Sequence, residues 1–376
     1  MKKLLTLFIA ALLLFAAACS ESAVQPNAAE DPNAQSEANV EQDVIPVVTK
    51  APTAVPSTPE PTPEPTEEPT PEPTATPEPT RVPREGDFAV NFPDYDTGVD
   101  ADYSYQSDEL KIAITVHPTT MRDEAGNRDL AETYYVADIW VRNLNSLRML
   151  FAKGEFYKGS EDGDKLASRE NAILAVNGSF CQGMVLCEGK VLQGLRKNKG
   201  WNSCAVCLIY KDGTLKTFYL SNEKFDIDQE IENGAWFGWQ FGPIVIRDHE
   251  EGPGATRYHG MGYKARNILG YYEPGHYAIV TCDCRGDDAR GMNEYMMVDL
   301  MKSTGVKDAF NLDGGTSAVL VFMGEIINKP VVGNNNGVIV YGRPLMDMFS
   351  FGEYDAESGA FQDLSTLTAA KFLGKE

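Results

Sequence analysis

Ala309-Phe310-Asn311-Leu312-Asp313-Gly314-Gly315-Thr316-Ser317 is the stretch on which the fold turns. Its first half alternates apolar and polar residues. That is the period of a strand, with Phe310 and Leu312 on one face and Asn311 and Asp313 on the other. Gly314-Gly315 then lets the backbone approach a ligand and turn successive N–H groups toward it, an anion cradle. Upstream, Thr281-Cys282-Asp283-Cys284-Arg285-Gly286 repeats the pattern, with Asp283 and Arg285 on one face and the two cysteines on the other. Between the two lies a helix over Met292–Thr304, with Met297, Leu300, Met301 and Thr304 at helical spacing and Gly305 as the stop. Two polar pairs at two strand ends, each followed by glycine, are costly to bury as core and are expected at the mouth of a pocket.

Around this centre, further runs read as strands: Leu110–Val116, Tyr134–Arg142, Ala172–Val176, Ala205–Tyr210, Leu215–Leu220, Ile244–Arg247, Tyr277–Cys282 and Val319–Phe322. They are rich in β-branched or aromatic residues and are bounded by Gly, Asn, Asp or Pro. Lys211-Asp212-Gly213-Thr214 is a hairpin signal. Many strands with a few helices predict an α+β domain over residues 86–376, built on a large mixed β-sheet with flanking helices. Trp236-Phe237-Gly238-Trp239 offers rings for a sugar to stack on, or core packing. Cys181, Cys187, Cys204, Cys207, Cys282 and Cys284 admit three readings: buried thiols, a Cys181–Cys187 disulfide, or zinc held by Cys204-x-x-Cys207 with Cys282-x-Cys284. His259 and His276 read as structural.

The N-terminus has a different character. Lys2-Lys3 precedes the apolar stretch Leu4–Ala18, which ends in Ala16-Ala17-Ala18-Cys19. This predicts a secretory signal over 1–19. Small residues before Cys19 resemble a bacterial lipobox, which implies lipidation of Cys19; the alternative is a cleaved signal with a chance cysteine. Residues 20–85 lack core-forming material, and 12 of the chain's 22 prolines lie between Pro52 and Pro83. The Pro-Glu-Thr series is expected to be a disordered, extended tether of polyproline II character. At about 3.1 Å per residue, some 30 residues reach on the order of 90 Å from a membrane. Lys+Arg 33 against Asp+Glu 55 leaves a formal charge of −22. Such a surface repels phosphate polymers, so nucleic acid is not an expected partner.

The run Phe310-Asn311-Leu312-Asp313-Gly314-Gly315-Thr316-Ser317-Ala318 resembles the Asn-Leu-Asp-Gly-Gly-Gly-Ser-Ser signature of the phosphodiester glycosidase family. Other pieces agree in order: Asn177-Gly178-Ser179-Phe180, Gly242-Pro243, Arg266-Asn267-Ile268-Leu269-Gly270, Asp283-Cys284-Arg285, Gly291-x-x-Glu294 and Asn328-Lys329-Pro330. Thr316 stands for the third Gly, Ala318 for the second Ser and Cys284 for a Gly. Gly333-Asn334-Asn335-Asn336-Gly337 occupies the place of a Gly-Glu-Arg expected after Pro330.

The resemblance implies an exported hydrolase that cleaves a glycosyl phosphodiester of cell-surface or environmental glycans. It implies cations on the phosphate, Arg266 and Arg285, whose guanidinium groups bind it bidentately. Asp313 or Glu294 would stabilise the oxocarbenium-like transition state, as nucleophile or as base for water. Asn177, Asn311, Asp283, Gly314, Gly315 and Ser317 complete the expected binding site. Each has a plainer alternative: Glu294 complements a helix dipole, Arg266 is a surface charge, Asp283 and Arg285 pair only with each other. No cofactor is called for, although two carboxylates and loop carbonyls are able to hold Ca²⁺. The rival function is a non-catalytic glycan-binding lipoprotein with the same cleft.

Overall fold

The structure, a computed structural model, describes residues 83–90, 92, 100–122, 129–197, 200, 203–255, 262–284, 291–335 and 338–367. The signal segment with Cys19, the tether up to residue 82, His259 and Arg285 lie outside the described residues. Among those described, no helix is long and apolar enough to cross a membrane.

Three β-sheets share one core. The largest has eight strands, in the order Tyr103–Gln106, Leu110–Arg122, Asp129–Val141, His276–Cys282, Arg266–Glu273, Asp308–Asn311, Ile244–Arg247 and Glu250–Glu251. The second orders Lys190–Gln193, Val185–Cys187, Ala235–Phe241, Ala205–Tyr210 and Leu215–Tyr219. The third orders Glu325–Ile326, Leu320–Phe322, Leu174–Asn177, Asp347–Phe351 and Leu147–Phe151. Where a single mixed sheet is expected from sequence, the strands paired in the described residues are antiparallel throughout and divide among these three sheets and two small two-stranded ones. Tight turns are the reason for many of these pairs, since a tight turn can only reverse the chain. Tyr210 and Thr214 close one such turn, with Gly213 at φ +83°.

Each sheet turns one face into the shared core and the other under a helix. Ala205, Cys207 and Ile209 enter the shared core, while Val206, Leu208 and Tyr210 pack toward Ile227 and Ile231 of the helix Ile227–Glu232. That double burial explains the unbroken apolar run of this strand. On the third sheet, Ala175, Val321 and Met348 meet Leu166 and Ala167 of the helix Gly163–Arg169. On the largest, Ile268, Ala278 and Val280 meet Met297 and Met301 of the helix Glu294–Thr304. Burying one such side chain fully contributes about 1.5–3 kcal/mol, so these outer layers stabilise as well as cover. Asn293 caps this last helix by accepting from the Met296 N–H at 3.0 Å, and Gly305 ends it at φ +77°.

The tryptophans follow the core reading. Trp239 is fully buried, edge-on to Phe349 at 5.0 Å, and Trp236 lies under Lys211 at 4.5 Å. None of the six cysteines forms a disulfide. Cys204 and Cys207 belong to the shared core and Cys282 to the layer beneath the helix, so they do not gather around one point. Among the described residues, no group of three or more His, Cys, Asp or Glu side chains is placed to hold a metal ion.

The crossover fixes where chemistry can gather. His276–Cys282 and Asp308–Asn311 both pair antiparallel with Arg266–Glu273 between them, so they run in the same direction. The helix Glu294–Thr304 links them. The ends of those two strands, the start of the middle strand and the start of the helix therefore meet at one edge of the sheet.

Candidate functional site

At that edge the ladder sets the neighbours. Arg266 pairs with Cys282 and Ile268 with Asn311, and the Leu312 N–H donates to the Asn267 carbonyl at 2.9 Å. One step further brings Asp313 opposite Arg266. Arg266 is 2% exposed. Burial holds its pKa below the usual arginine value, opposed by the neighbouring Cys282, Glu294 and Asp313. Its Nε donates to the Met292 carbonyl at 3.0 Å and its Nη2 to the Gly262 carbonyl at 2.7 Å. Arg266 is thus a fixed buried cation whose field reaches both Asp313 and the buried Glu294, and not a surface charge.

Asp313 is held from three sides. Its N–H donates to the Gly178 carbonyl at 3.1 Å, and its own carbonyl accepts from Asn177 Nδ2 at 2.7 Å. Its Oδ2 accepts from Arg343 Nη2 at 2.9 Å. Arg343 also donates through Nε to the hydroxyl of the buried Ser317, and its guanidinium lies 4.3 Å from the centre of the Phe180 ring. Phe180 and Cys181 are both left-handed, at φ +57° and +50°, a conformation that bulky residues rarely adopt. That strained turn is what presents the Phe180 ring beneath Arg343.

Behind Asp313 sits a second carboxyl, Asp347, at the start of its strand. Its Oδ2 accepts from the Ser179 N–H at 3.0 Å. Burial pushes its pKa up to about 6; the Ser179 hydrogen bond opposes the shift and the nearby Asp313 charge adds to it. A Cβ on Gly178 would lie 2.0 Å from Asp347 Oδ2, so only glycine lets the turn pass over this carboxyl.

Several sequence expectations change here. Asn177 does not offer its carboxamide to a ligand: Nδ2 holds the Asp313 carbonyl, and Oδ1 accepts from the Val319 N–H at 3.2 Å and meets Asn267. Asn311 donates to the Gly242 carbonyl at 2.8 Å, and its buried Oδ1 has no partner among the described residues. Gly314-Gly315 is not a row of outward N–H groups. Gly315 donates to the Ala265 carbonyl at 2.7 Å to close the following turn. Gly314 is needed because a Cβ there would meet that same carbonyl at 2.6 Å.

Asp283 is the clearest correction. It is expected at the pocket mouth, on the face turned away from Cys282. The two faces do alternate, but Cys282 shares the face of Arg266, and Asp283 is fully buried on the other. Its Oδ1 accepts from the Lys329 N–H at 2.6 Å and its Oδ2 from the Tyr135 hydroxyl at 3.4 Å. It thereby anchors the segment that follows Asn328.

Arg343 and Asp347 are the residues that sequence reasoning misses. The Gly-Glu-Arg expected after Pro330 is absent; a hairpin, Val331–Asn335 with Val338–Tyr341, follows instead, and the next arginine in the chain is Arg343. Beside Arg343 a cleft of about 370 Å³ opens, lined also by Tyr157, Ser160, Phe180, Pro344 and Met346.

Residues 164–351 match the sequence pattern of the phosphodiester glycosidase family. The chain is 28% identical over 182 residues to the SPbeta prophage-derived uncharacterized protein YomE of Bacillus subtilis (strain 168), covering 46% of this chain and 28% of that protein. It is 28% identical over 182 residues to the human N-acetylglucosamine-1-phosphodiester alpha-N-acetylglucosaminidase, covering 44% of this chain and 35% of the enzyme. The bovine enzyme is 27% identical over 183 residues, with 44% and 34% covered. The chain thus spans about a third of these relatives' length. In fold it is similar to the zebrafish enzyme's catalytic domain, auto-inhibited by its pro-peptide, with a TM-score of 0.53 and 22% identity over 67% of this chain and 86% of that one.

Proposed function

The chain belongs to the phosphodiester glycosidase family, and from that membership we propose that it hydrolyses a glycosyl phosphodiester outside the cell, anchored to the membrane by a lipid on Cys19. The observation that carries the reading is the Arg343–Asp313 pair at 2.9 Å. Cleavage breaks the bond between the anomeric carbon and the phosphate oxygen. The electron pair leaves with the phosphate monoester, water supplies a hydroxyl to the anomeric carbon, and a carboxylate receives the proton. In the transition state, negative charge grows on the phosphate while positive charge grows on the sugar. A guanidinium beside a carboxylate is the mirror of that separation: Arg343 faces the departing phosphate and Asp313 the sugar cation. Arg266, buried and fixed, places a positive charge close to Asp313 and Glu294 that needs no reorganisation during the reaction.

Glu294 is the second carboxylate of the pair that glycoside hydrolysis uses. Ser317 acts through Arg343, whose orientation it holds. The test is release of sugar from a panel of sugar-1-phosphodiesters, beginning with N-acetylglucosamine, the sugar in the names of the mammalian relatives. Turnover by the wild type that falls at least a hundredfold in Asp313→Asn supports the hydrolase. Sugar phosphates that bind the cleft without any turnover mark the chain instead as a glycan-binding lipoprotein.

A further inference from the structure

The cleft beside Arg343 does not include Asp313 in its lining, yet Arg343 belongs to both. A phosphate held on Arg343 therefore stands between a sugar at Asp313 and whatever is esterified on its other side. We propose that the cleft receives this alcohol leg of the phosphodiester and that the leg is apolar, an alkyl or aryl alcohol. The proposal rests on the phosphodiester glycosidase reading of Asp313 and Arg343.

The lining chemistry selects the occupant. Tyr157, Phe180, Pro344 and Met346 present rings and apolar chains; the polar groups are the Ser160 and Tyr157 hydroxyls and a guanidinium already engaged by Asp313 and Ser317. A sugar leg brings several hydroxyls, each needing a partner once water is displaced, and two side-chain hydroxyls, one of them on the exposed Tyr157, do not supply them. One face of the Phe180 ring is already covered by Arg343 at 4.3 Å, so it is not a platform for a second sugar on that side. An apolar leg needs none of this and gains from the rings and the thioether. At about 370 Å³ the space suits a small organic group. Charge complements the assignment: the chain carries −22, but the mouth of this cleft carries a guanidinium, which fits a phosphate head with an apolar tail.

Tyr157 supports the reading independently. It is 61% exposed and sits at φ +65°, a left-handed position usually left to Gly or Asn. The fold thus holds a bulky ring in a strained conformation at the surface, where its ring contact is Phe156 at 5.4 Å and most of it stays open to the cleft.

Calorimetric titration of the full chain with methyl phosphate and benzyl phosphate tests this apart from turnover, since neither contains a glycosidic bond. Benzyl phosphate is expected to bind at least tenfold tighter. Tyr157→Asn, which suits the backbone and removes the ring, and Met346→Ala should each lower that ratio severalfold. Arg343→Gln should weaken both ligands. Equal affinities, or a ratio that neither variant moves, overturn the proposal, as does a preference for mannose 6-phosphate over benzyl phosphate. If benzyl phosphate is preferred and no glycosyl phosphodiester is hydrolysed, the apolar subsite stands and the hydrolase reading falls. If glycosyl phosphodiesters with methyl and benzyl legs are hydrolysed at equal kcat/KM, the hydrolase stands and the apolar leg falls.

Discussion

Arg343 joins Asp313 to Ser317: one edge of its guanidinium meets the Asp313 carboxylate at 2.9 Å and its Nε meets the Ser317 hydroxyl. Two groups four residues apart in the glycine-rich turn are thereby held by a side chain from a different strand connection. The fork geometry matters because a lysine ammonium keeps the charge but cannot span both partners in one plane.

Arg343→Lys should therefore lower kcat and raise KM for a glycosyl phosphodiester, whereas Asp313→Asn should lower kcat by two to three orders of magnitude with KM little changed. Loss of one preorganised electrostatic group of this kind costs about 3–4 kcal/mol. Steady-state kinetics on both variants checks it. A full-rate Asp313→Asn would transfer the central role to Glu294.

Asp347 gives a pH dependence of stability with a definite sign. Its pKa rises from 3.8 to about 6 on folding, so between those values the native state holds a proton that the unfolded chain has lost. Stability from this group is fully present below pH 3.8 and is lost as pH rises toward 6, by about 3 kcal/mol in total. Asp347→Asn resembles the protonated acid at every pH. Its melting temperature should match that of the wild type near pH 4 and exceed it above pH 7. Parallel melting curves across that range would contradict the assignment.

Gly178 and Asp347 should show strong coupling. Gly178→Ala puts a methyl group on the Asp347 carboxylate and should destabilise by roughly 1–3 kcal/mol, as other overpacked sites do. Adding Asp347→Ala removes the clash, so the double variant should be more stable than the sum of the singles predicts. Additive losses in denaturant melts would count against the steric account.

Two expectations concern the N-terminal segments. Cys19→Ser should move the protein from the membrane to the soluble fraction if Cys19 carries the lipid. A chain beginning at Pro83 should melt at the wild-type temperature. It keeps the contacts by which Asn143 Nδ2 binds the Glu85 carbonyl at 3.0 Å and Asp87 at 2.8 Å. A drop of several degrees would show that the Pro-Glu-Thr series packs on the domain.

What the sequence tells of this fold depends on how local the signal is. Ala205–Tyr210 and Leu215–Tyr219 are legible because composition and the Asp212-Gly213 turn both lie within the hairpin itself. Asp347–Phe351 gives no such warning, since Asp-Met-Phe-Ser-Phe reads as a polar start to an irregular segment. Its polarity is explained only by Ser179, far away in sequence. Asp313 and Glu294 stand out because glycines and a helix start flank them. Asp283 misleads because alternation tells that it faces away from Cys282 but not which of the two faces carries the site, and Cys282 takes the face of Arg266. Arg343 is invisible because its distance from the glycine-rich turn is set by the hairpin and carries no periodic signal.

That hairpin is a closed excursion. The Gly342 N–H returns to the Pro330 carbonyl at 2.8 Å, so the chain leaves and re-enters at one point. Seen from Asp313, the eleven residues between have no length: they can grow, shrink or be exchanged while the arginine that follows arrives at the same place. Reading frames for this site are accordingly spatial. The excursion itself is then free to change without moving the Arg343–Asp313 pair.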